Sequence, residues 1–376
     1  MKKTSNHGEL VAIAAVIIVT VLVFVGCQYH VSHNGLEDRT DYDTLIGEWQ
    51  PASCVLVNGS GFSTYSENDS EIAVWTFAVE RSTFTTVDAK WNGTDFQGSY
   101  VGTTVYARLD MADGWTVIYG QLVNDEELRL TFTSCDSGTI NAASVVYTRD
   151  GTLPVFTDYY NKVTGLWSGS SVCLSGQTVN EAMTADIGTQ HGAAFCGTVS
   201  RDGSTADLVG VMTMLETGPT ESGIAVDSTG TLWHLLEKNG MLILTSLTTG
   251  GTTVEAVMNL GFDLNGDYVQ ADLKDCTFSG YALGGSKTPY TLTFNEQDSY
   301  MFTGILSFGR SEYDLCGALF VSNSILGDVT VSLDTTVYGV LTVNSYHPTL
   351  LTLILYNYNA DGTALVVYLE NEEEAA

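Results

Sequence analysis

The sequence predicts an all-β protein of three tandem antiparallel units, each an eight-stranded meander, barrel-like or sandwich-like, behind an N-terminal hydrophobic signal or anchor segment. Three observations predict it: tight-turn dipeptides along most of the chain, runs that alternate apolar and polar residues, and a triple recurrence of those runs in the same order.

The turns come first because they set the strand length. Asn58-Gly59, Asn92-Gly93, Asp113-Gly114, Asp150-Gly151, Asp202-Gly203, Asn239-Gly240, Asn265-Gly266 and Asp361-Gly362 supply the positive φ angles that two-residue hairpins require. Between them, patterns such as Val145 and Tyr147, or Leu365, Val367 and Leu369, put apolar side chains on one face of a strand. Only 5 prolines interrupt 376 residues, and helical periodicity is absent beyond the first segment.

The recurrence gives the units. Gly47-Glu48-Trp49 with Cys54 following matches Gly165-Leu166-Trp167 with Cys173 following. Phe96-Gln97-Gly98, Phe195-Cys196-Gly197 and Phe302-Thr303-Gly304 mark a middle strand. Asp207-Leu208-Val209-Gly210 matches Asp314-Leu315-Cys316-Gly317. Near the ends come Leu128–Thr131, Met241–Thr245 and Leu350–Ile354, then Ala143–Tyr147, Val254–Leu260 and Ala364–Leu369. The third unit lacks Gly-x-Trp but keeps an early Cys in Asp275-Cys276-Thr277-Phe278. Its strands are expected near 276–283, 290–294, 300–308, 312–320, 328–333, 337–343, 350–356 and 364–369. Eight such strands suit an up-and-down barrel, which has no free edge. A six-bladed propeller with two blades per unit is the alternative. The boundaries read as an export signal or anchor at 1–27, a polar tether at 28–44, β units at 45–150, 163–263 and 272–370, and an acidic tail at 371–376.

The two Gly-x-Trp starts resemble the first strand of lipocalin and avidin barrels. There the Trp caps one end of the barrel and the Gly lets the chain pass it closely. The resemblance covers three residues in each of two units and implies a cavity for a small hydrophobic molecule.

Composition narrows the function. Charged residues make up 15% of the chain, and 44 acids against 14 basic residues leave a net charge of −30. Such a surface repels phosphate backbones, so nucleic acid is excluded as a partner.

The first residues set the address. Lys2 and Lys3 precede an uncharged run from Leu10 to Gly26, and Cys27 follows it. A basic start and an apolar run read as an export signal. Phe24-Val25-Gly26-Cys27 resembles a lipobox, which makes Cys27 the expected lipid attachment site. An uncleaved anchor is the rival, since about 17 apolar residues lie at the lower limit for a span. Both place the chain outside the membrane, tethered by its N-terminus. Setting Cys27 aside leaves Cys54, Cys135, Cys173, Cys196, Cys276 and Cys316, an even number that suits disulfides in an oxidising compartment.

Catalytic signatures are scarce. Each unit holds one His at most (His191, His234, His347), with no G-x-S-x-G elbow, and His234 beside Trp233 reads as a half-buried, hydrogen-bonded strand residue. His30-x-x-His33 falls in the tether, where no fixed geometry holds a metal. Asp263, Asn265 and Asp267 alternate as in the first half of a calcium loop, making calcium the one cofactor to consider, although Tyr268 and Lys274 depart from that pattern. Asn58, Asn68 and Asn92 begin N-x-Ser/Thr sequons. Trp91 beside Asn92-Gly93 is expected at an exposed hairpin tip, where it would stack on sugars.

The reading that follows is a membrane-anchored, extracytoplasmic, non-enzymatic surface protein of binding or structural type, meeting glycans or other envelope components. A small-molecule carrier with lipocalin- or avidin-like barrels is the second reading, and a glycan hydrolase the third. The units are expected to pack end to end.

Overall fold

The computed structural model describes residues 42–371 except 155–159, 174–176, 202, 214–219, 239–240, 248–252, 260–272, 284–287, 299–300, 319–320, 323–324, 327–328, 334–336, 345–346 and 360. It is an all-β molecule. The only helical elements among the described residues are two short 3-10 turns, Tyr42–Leu45 and Ser70–Trp75.

The first unit comprises β1 (Gly47–Asn58), β2 (Gly61–Ser66), β3 (Phe77–Ser82), β4 (Val87–Trp91), β5 (Thr94–Val101), β6 (Thr104–Met111), β7 (Gly114–Asn124), β8 (Glu127–Asp136) and β9 (Thr139–Thr148). The start of β1 pairs with β3 and its later residues with β2, while β9 pairs along β1 and returns the sheet on itself. This unit therefore has nine strands. The ninth, β2, doubles back on β1 before the chain crosses through the Ser70–Trp75 turn.

The second unit is a closed eight-stranded barrel of β10 (Gly165–Cys173), β11 (Gln177–His191), β12 (Ala194–Arg201), β13 (Ser204–Thr213), β14 (Thr220–Asp227), β15 (Leu232–Lys238), β16 (Met241–Leu247) and β17 (Thr253–Asn259). The third comprises β18 (Thr277–Ala282), β19 (Tyr290–Asp298), β20 (Met301–Phe308), β21 (Ser311–Ala318), the small hairpin β22 (Val321–Ser322) and β23 (Ile325–Leu326), then β24 (Val329–Leu333), β25 (Val337–Asn344), β26 (His347–Leu355) and β27 (Leu365–Asn371). Without the small hairpin, these strands also close as a barrel of eight. Every strand pair is antiparallel and the rings close within units, so the propeller alternative is not the fold. The eight strands expected in the third unit all form.

The sequence repeat maps onto equivalent strands with one exception. Asp207–Gly210 and Asp314–Gly317 occupy fourth strands, and Leu128–Thr131, Met241–Thr245 and Leu350–Ile354 occupy seventh strands of their rings. Phe195 and Phe302 lie on third strands, whereas Phe96 lies on β5, the fourth strand of its ring. What the Phe-x-Gly segments share is local. A Cβ on Gly98, Gly197 or Gly304 would stand 2.8 Å from Ala107 Cβ, 2.1 Å from Asp186 O or 2.6 Å from Thr293 O, so each Gly marks a close approach of a neighbouring strand.

Each of the first two barrels is plugged at the end where its chain enters. Trp49 and Trp167 are buried, and each indole Nε1 donates to the carbonyl four residues earlier: Trp49 to Leu45 O at 2.9 Å and Trp167 to Val163 O at 2.7 Å. That tight return requires Gly47 at φ 121° and Gly165 at φ 135°, values that only glycine adopts readily. In the first barrel the Arg149 guanidinium lies 3.6 Å from the Trp49 ring centroid and donates to Glu48 O and Thr44 O. The third barrel starts differently. Asp275 takes the positive φ, at 64°, with Leu273 buried two residues before it, and Phe278 supplies the core ring. Asp is among the few non-glycine residues that tolerate this region.

The barrels do not simply stack end to end. Outward-facing residues of β6 and β7 meet the second and third units in one buried cluster. Tyr106 stacks on Tyr356 at 5.6 Å between centroids, and its hydroxyl lies 3.4 Å from His234 Nε2. Tyr119 packs edge-on to His234 and donates to Ser222 Oγ at 2.9 Å. Around it, Ser99 Oγ donates to Gly362 O and accepts from Asn357 N, both at 2.7 Å, which joins the first and third barrels. His234 is thus fully buried at 2% exposure, not half-buried as its strand position suggested. It faces out of its own barrel into a neighbour.

Candidate functional site: the mouth of the middle barrel

Strand alternation builds the site. In the second barrel, Phe195 and Val199 of β12, Leu208 of β13, Ala225 of β14, Trp233 and Leu235 of β15 and Leu242 and Leu244 of β16 point inward and form the core above Trp167. Continuing each phase to the far end brings Arg201, Ala206, Ser204, Asp227, Thr231 and Ser246 to the same inner face. There they enclose an open-mouthed cavity of about 350 Å³ with Thr205 and Thr229 at its rim and Val199 and Trp233 at its base. This volume is at the small end of ligand pockets.

Asp227 organises the mouth. It is 3% exposed, and its carboxylate accepts four hydrogen bonds. Oδ1 takes Thr229 N at 2.9 Å, Thr229 Oγ1 at 2.5 Å and Thr231 N at 3.1 Å, and Oδ2 takes Trp233 Nε1 at 2.9 Å. Those bonds fix the β14–β15 turn and lock the indole in place. Oδ1 is fully engaged by them, while Oδ2 takes a single donor. Asp227 is therefore a builder of the pocket.

The first barrel shows why the cavity belongs to its neighbour. Its end opposite Trp49 is covered by the Ser70–Trp75 turn. The Trp75 ring lies 5.3 Å from Phe132 and 6.1 Å from Trp91, and Trp91 stacks on Phe132 at 4.9 Å. Trp91 is thus part of an inward aromatic lid and not an exposed platform for sugars. In the second barrel only residues 174–176 separate β10 from β11, where the first barrel has the segment 67–76 between β2 and β3. Of the large apolar side chains that stand exposed, Tyr281 is the one aromatic among the described residues.

The other sequence candidates distribute as follows. Cys27, the His30/His33 pair and the Asp263, Asn265, Asp267 loop lie outside the described residues, as do the side chains of Cys173 and Cys316. Cys54, Cys135, Cys196 and Cys276 are free thiols, so the disulfide framework expected from their even number is not found among them. Strand geometry gives the reason. Cys54 points into the first barrel's core, where burial pushes its thiol up to about 12. Cys135, in the same barrel, faces outward toward Gly230 of the second. Cys196 and Cys276 sit in separate barrels. Asn68 and Asn92 are exposed and Asn58 half-buried, all at the end of the first barrel away from Trp49. No described helix is long and apolar enough to cross a membrane. Arg201, Asp227 and the placement of Trp233 were not anticipated, although the in-phase step from Phe195 and Val199 to Arg201, just before Asp202-Gly203, carries the signal.

No family model and no curated protein matches the chain. A solved structure of a protein of unknown function from the DUF3598 family of Nostoc punctiforme is 13% identical over 56% of this chain and 96% of its own, with a TM-score of 0.24.

Proposed function

We propose that this is a non-enzymatic binding protein, tethered outside the membrane through its N-terminal segment, and that its middle barrel carries a small ligand in its open mouth. The observation that supports the carrier reading is the cavity itself: a barrel plugged by Trp167 at one end and open at the other, with an apolar base and a hydroxyl-rich rim. A glycan hydrolase would need two carboxylates across a cleft. Asp227 is the one acid among the described residues lining this cavity. Lys2, Lys3 and the run from Leu10 to Gly26 support the external address.

Titration with the uncharged probe N-phenyl-1-naphthylamine, followed by energy transfer from tryptophan, is expected to saturate at one site per chain. Ala206→Trp, which fills the mouth, should weaken that binding at least tenfold with an unchanged circular dichroism spectrum. Thr231→Trp, in the turn between β14 and β15, should do the same. Unaltered binding in both folded variants would place the ligand elsewhere and remove this reading.

A further inference from the structure

We infer that the middle barrel takes a small neutral alcohol or phenol, whose hydroxyl donates to Thr231 Oγ1 at the mouth while its apolar body lies against Val199, Ala206 and Trp233. This rests on the carrier reading and deepens it.

The first condition is where the hydrogens must lie. The Asp227 carboxylate offers acceptors only, and Thr229 Oγ1 lies 2.5 Å from its Oδ1, so the single hydroxyl hydrogen of Thr229 is committed there. Thr229 Oγ1 also lies 2.9 Å from Thr231 Oγ1. With the Thr229 hydrogen already placed, Thr231 is the donor of that second bond. A hydroxyl has one hydrogen, so Thr231 Oγ1 keeps only lone pairs for the cavity it lines. Oδ2 of Asp227 accepts one bond, from Trp233 Nε1, and retains acceptor capacity beside it. The Asp227–Thr231 side of the mouth therefore asks a ligand for a hydrogen.

Charge sets the second condition. Among the described residues the lining holds one side chain of each sign, Arg201 and Asp227. Arg201 is already engaged within the protein, and holding the ligand is not its task. A cation entering the mouth would meet the guanidinium, and an anion would meet Asp227 and the −30 of the chain. Either would give up water beside a like charge, and a neutral molecule avoids that cost. The base of the cavity supplies the third condition. The Trp233 indole has its one N–H on Asp227, so it has no donor left and offers an apolar ring beside Val199 and Ala206. A volume of about 350 Å³ admits one small molecule, and a hydroxyl-up, body-down pose satisfies both layers.

The test compares 2-octanol with 2-octanone, which share a carbon skeleton and differ in one donor, as competitors of bound N-phenyl-1-naphthylamine on the full chain. The alcohol is expected to displace the probe at about fivefold lower concentration, the worth of one hydrogen bond. Octylammonium and octanoate should each be weaker than the alcohol by about fivefold or more. Thr231→Val keeps the side-chain shape and removes the acceptor, so it should bring alcohol and ketone within about twofold of each other. Thr229→Val releases the Thr231 hydrogen to the cavity and should shift the preference toward the ketone, a reversal that lost packing alone does not produce. Equal displacement by alcohol and ketone on the native chain, an unchanged preference in Thr231→Val, or an octylammonium that outcompetes the alcohol would overturn the assignment and leave the carrier reading in place. A probe that does not bind the native chain would overturn both.

Discussion

Replacing Trp49 by Ala is expected to lower the unfolding free energy of the first barrel by about 3–5 kcal/mol, the range for removing a fully buried aromatic side chain. Three losses coincide at this position. The ring is 0% exposed and fills the entry end of the barrel against Leu45 and its neighbours. Its Nε1 is the donor that satisfies Leu45 O at 2.9 Å. Its face carries the Arg149 guanidinium at 3.6 Å, and that side chain in turn ties β9 to the carbonyls of Glu48 and Thr44. Trp49→Phe keeps most of the packing and loses the indole donor, so its cost should be smaller, about 1–3 kcal/mol. Hydrogen exchange read by mass spectrometry separates the barrels, and faster exchange should appear in peptides from 45–150 before those from 277–371. Equal exchange in the Phe and Ala variants would show that the packing of a ring contributes nothing and that the loss shared by both, the indole hydrogen bond, carries the whole effect. A uniform acceleration across all three barrels would mean that they unfold as one body.

How much of this was legible beforehand depends on whether a feature is local. The turn dipeptides and alternation located the third barrel's strands because period two and two-residue hairpins are properties of short segments. Gly47 and Gly165 announced plugged ends because glycine is needed wherever the backbone takes those φ values. Asp275 opens the third barrel with a positive φ of 64° that no residue type announced, since Asp does many other things. Phe96 misled because Phe-x-Gly reports a close strand approach and says nothing about which strand it is. The extra β2 and the Trp75 lid were invisible for a related reason: whether Trp91 points to water or onto Phe132 depends on a crossing segment that could have gone elsewhere. The free thiols were misread from an even count, which carries no information on whether Cys54 and Cys135 share a face.

The functional features were the least legible because they arise between elements. Arg201 and Asp227 become neighbours of one cavity only when a barrel closes, through β12, β13, β14 and β15 in turn. The cluster of Tyr106, His234 and Tyr356 needs three barrels to form, and its members are 128 residues apart at their closest hydrogen-bonding pair. A histidine there reads in sequence as any polar residue on the outer face of a strand. Its depth comes from the neighbour that covers it.

That burial makes acidification the second large effect. Desolvation in the cluster, with the positive charge of Arg108 nearby as a smaller cause, lowers the His234 pKa from about 6.5 to about 3. Among the described residues the rings packed on it are the phenols of Tyr106 and Tyr119, and burial pushes the Tyr106 hydroxyl up and away from ionisation. The sign follows. Below pH 6.5 the unfolded chain binds a proton at His234 that the folded chain refuses until about pH 3, so stability falls as pH falls through that window. By pH 5 the loss from this residue is about 2 kcal/mol. Other groups titrate too, and protonating acids on a chain of −30 relieves self-repulsion, which acts in the opposite direction. Comparison with His234→Gln isolates the histidine, because every other titration is shared. The variant is expected to be the less stable protein at pH 7, through lost packing against Tyr106. The gap should close by about 2 kcal/mol between pH 7 and pH 5 in urea unfolding. A gap that stays constant with pH would mean that water reaches the ring and that the three barrels do not seal it.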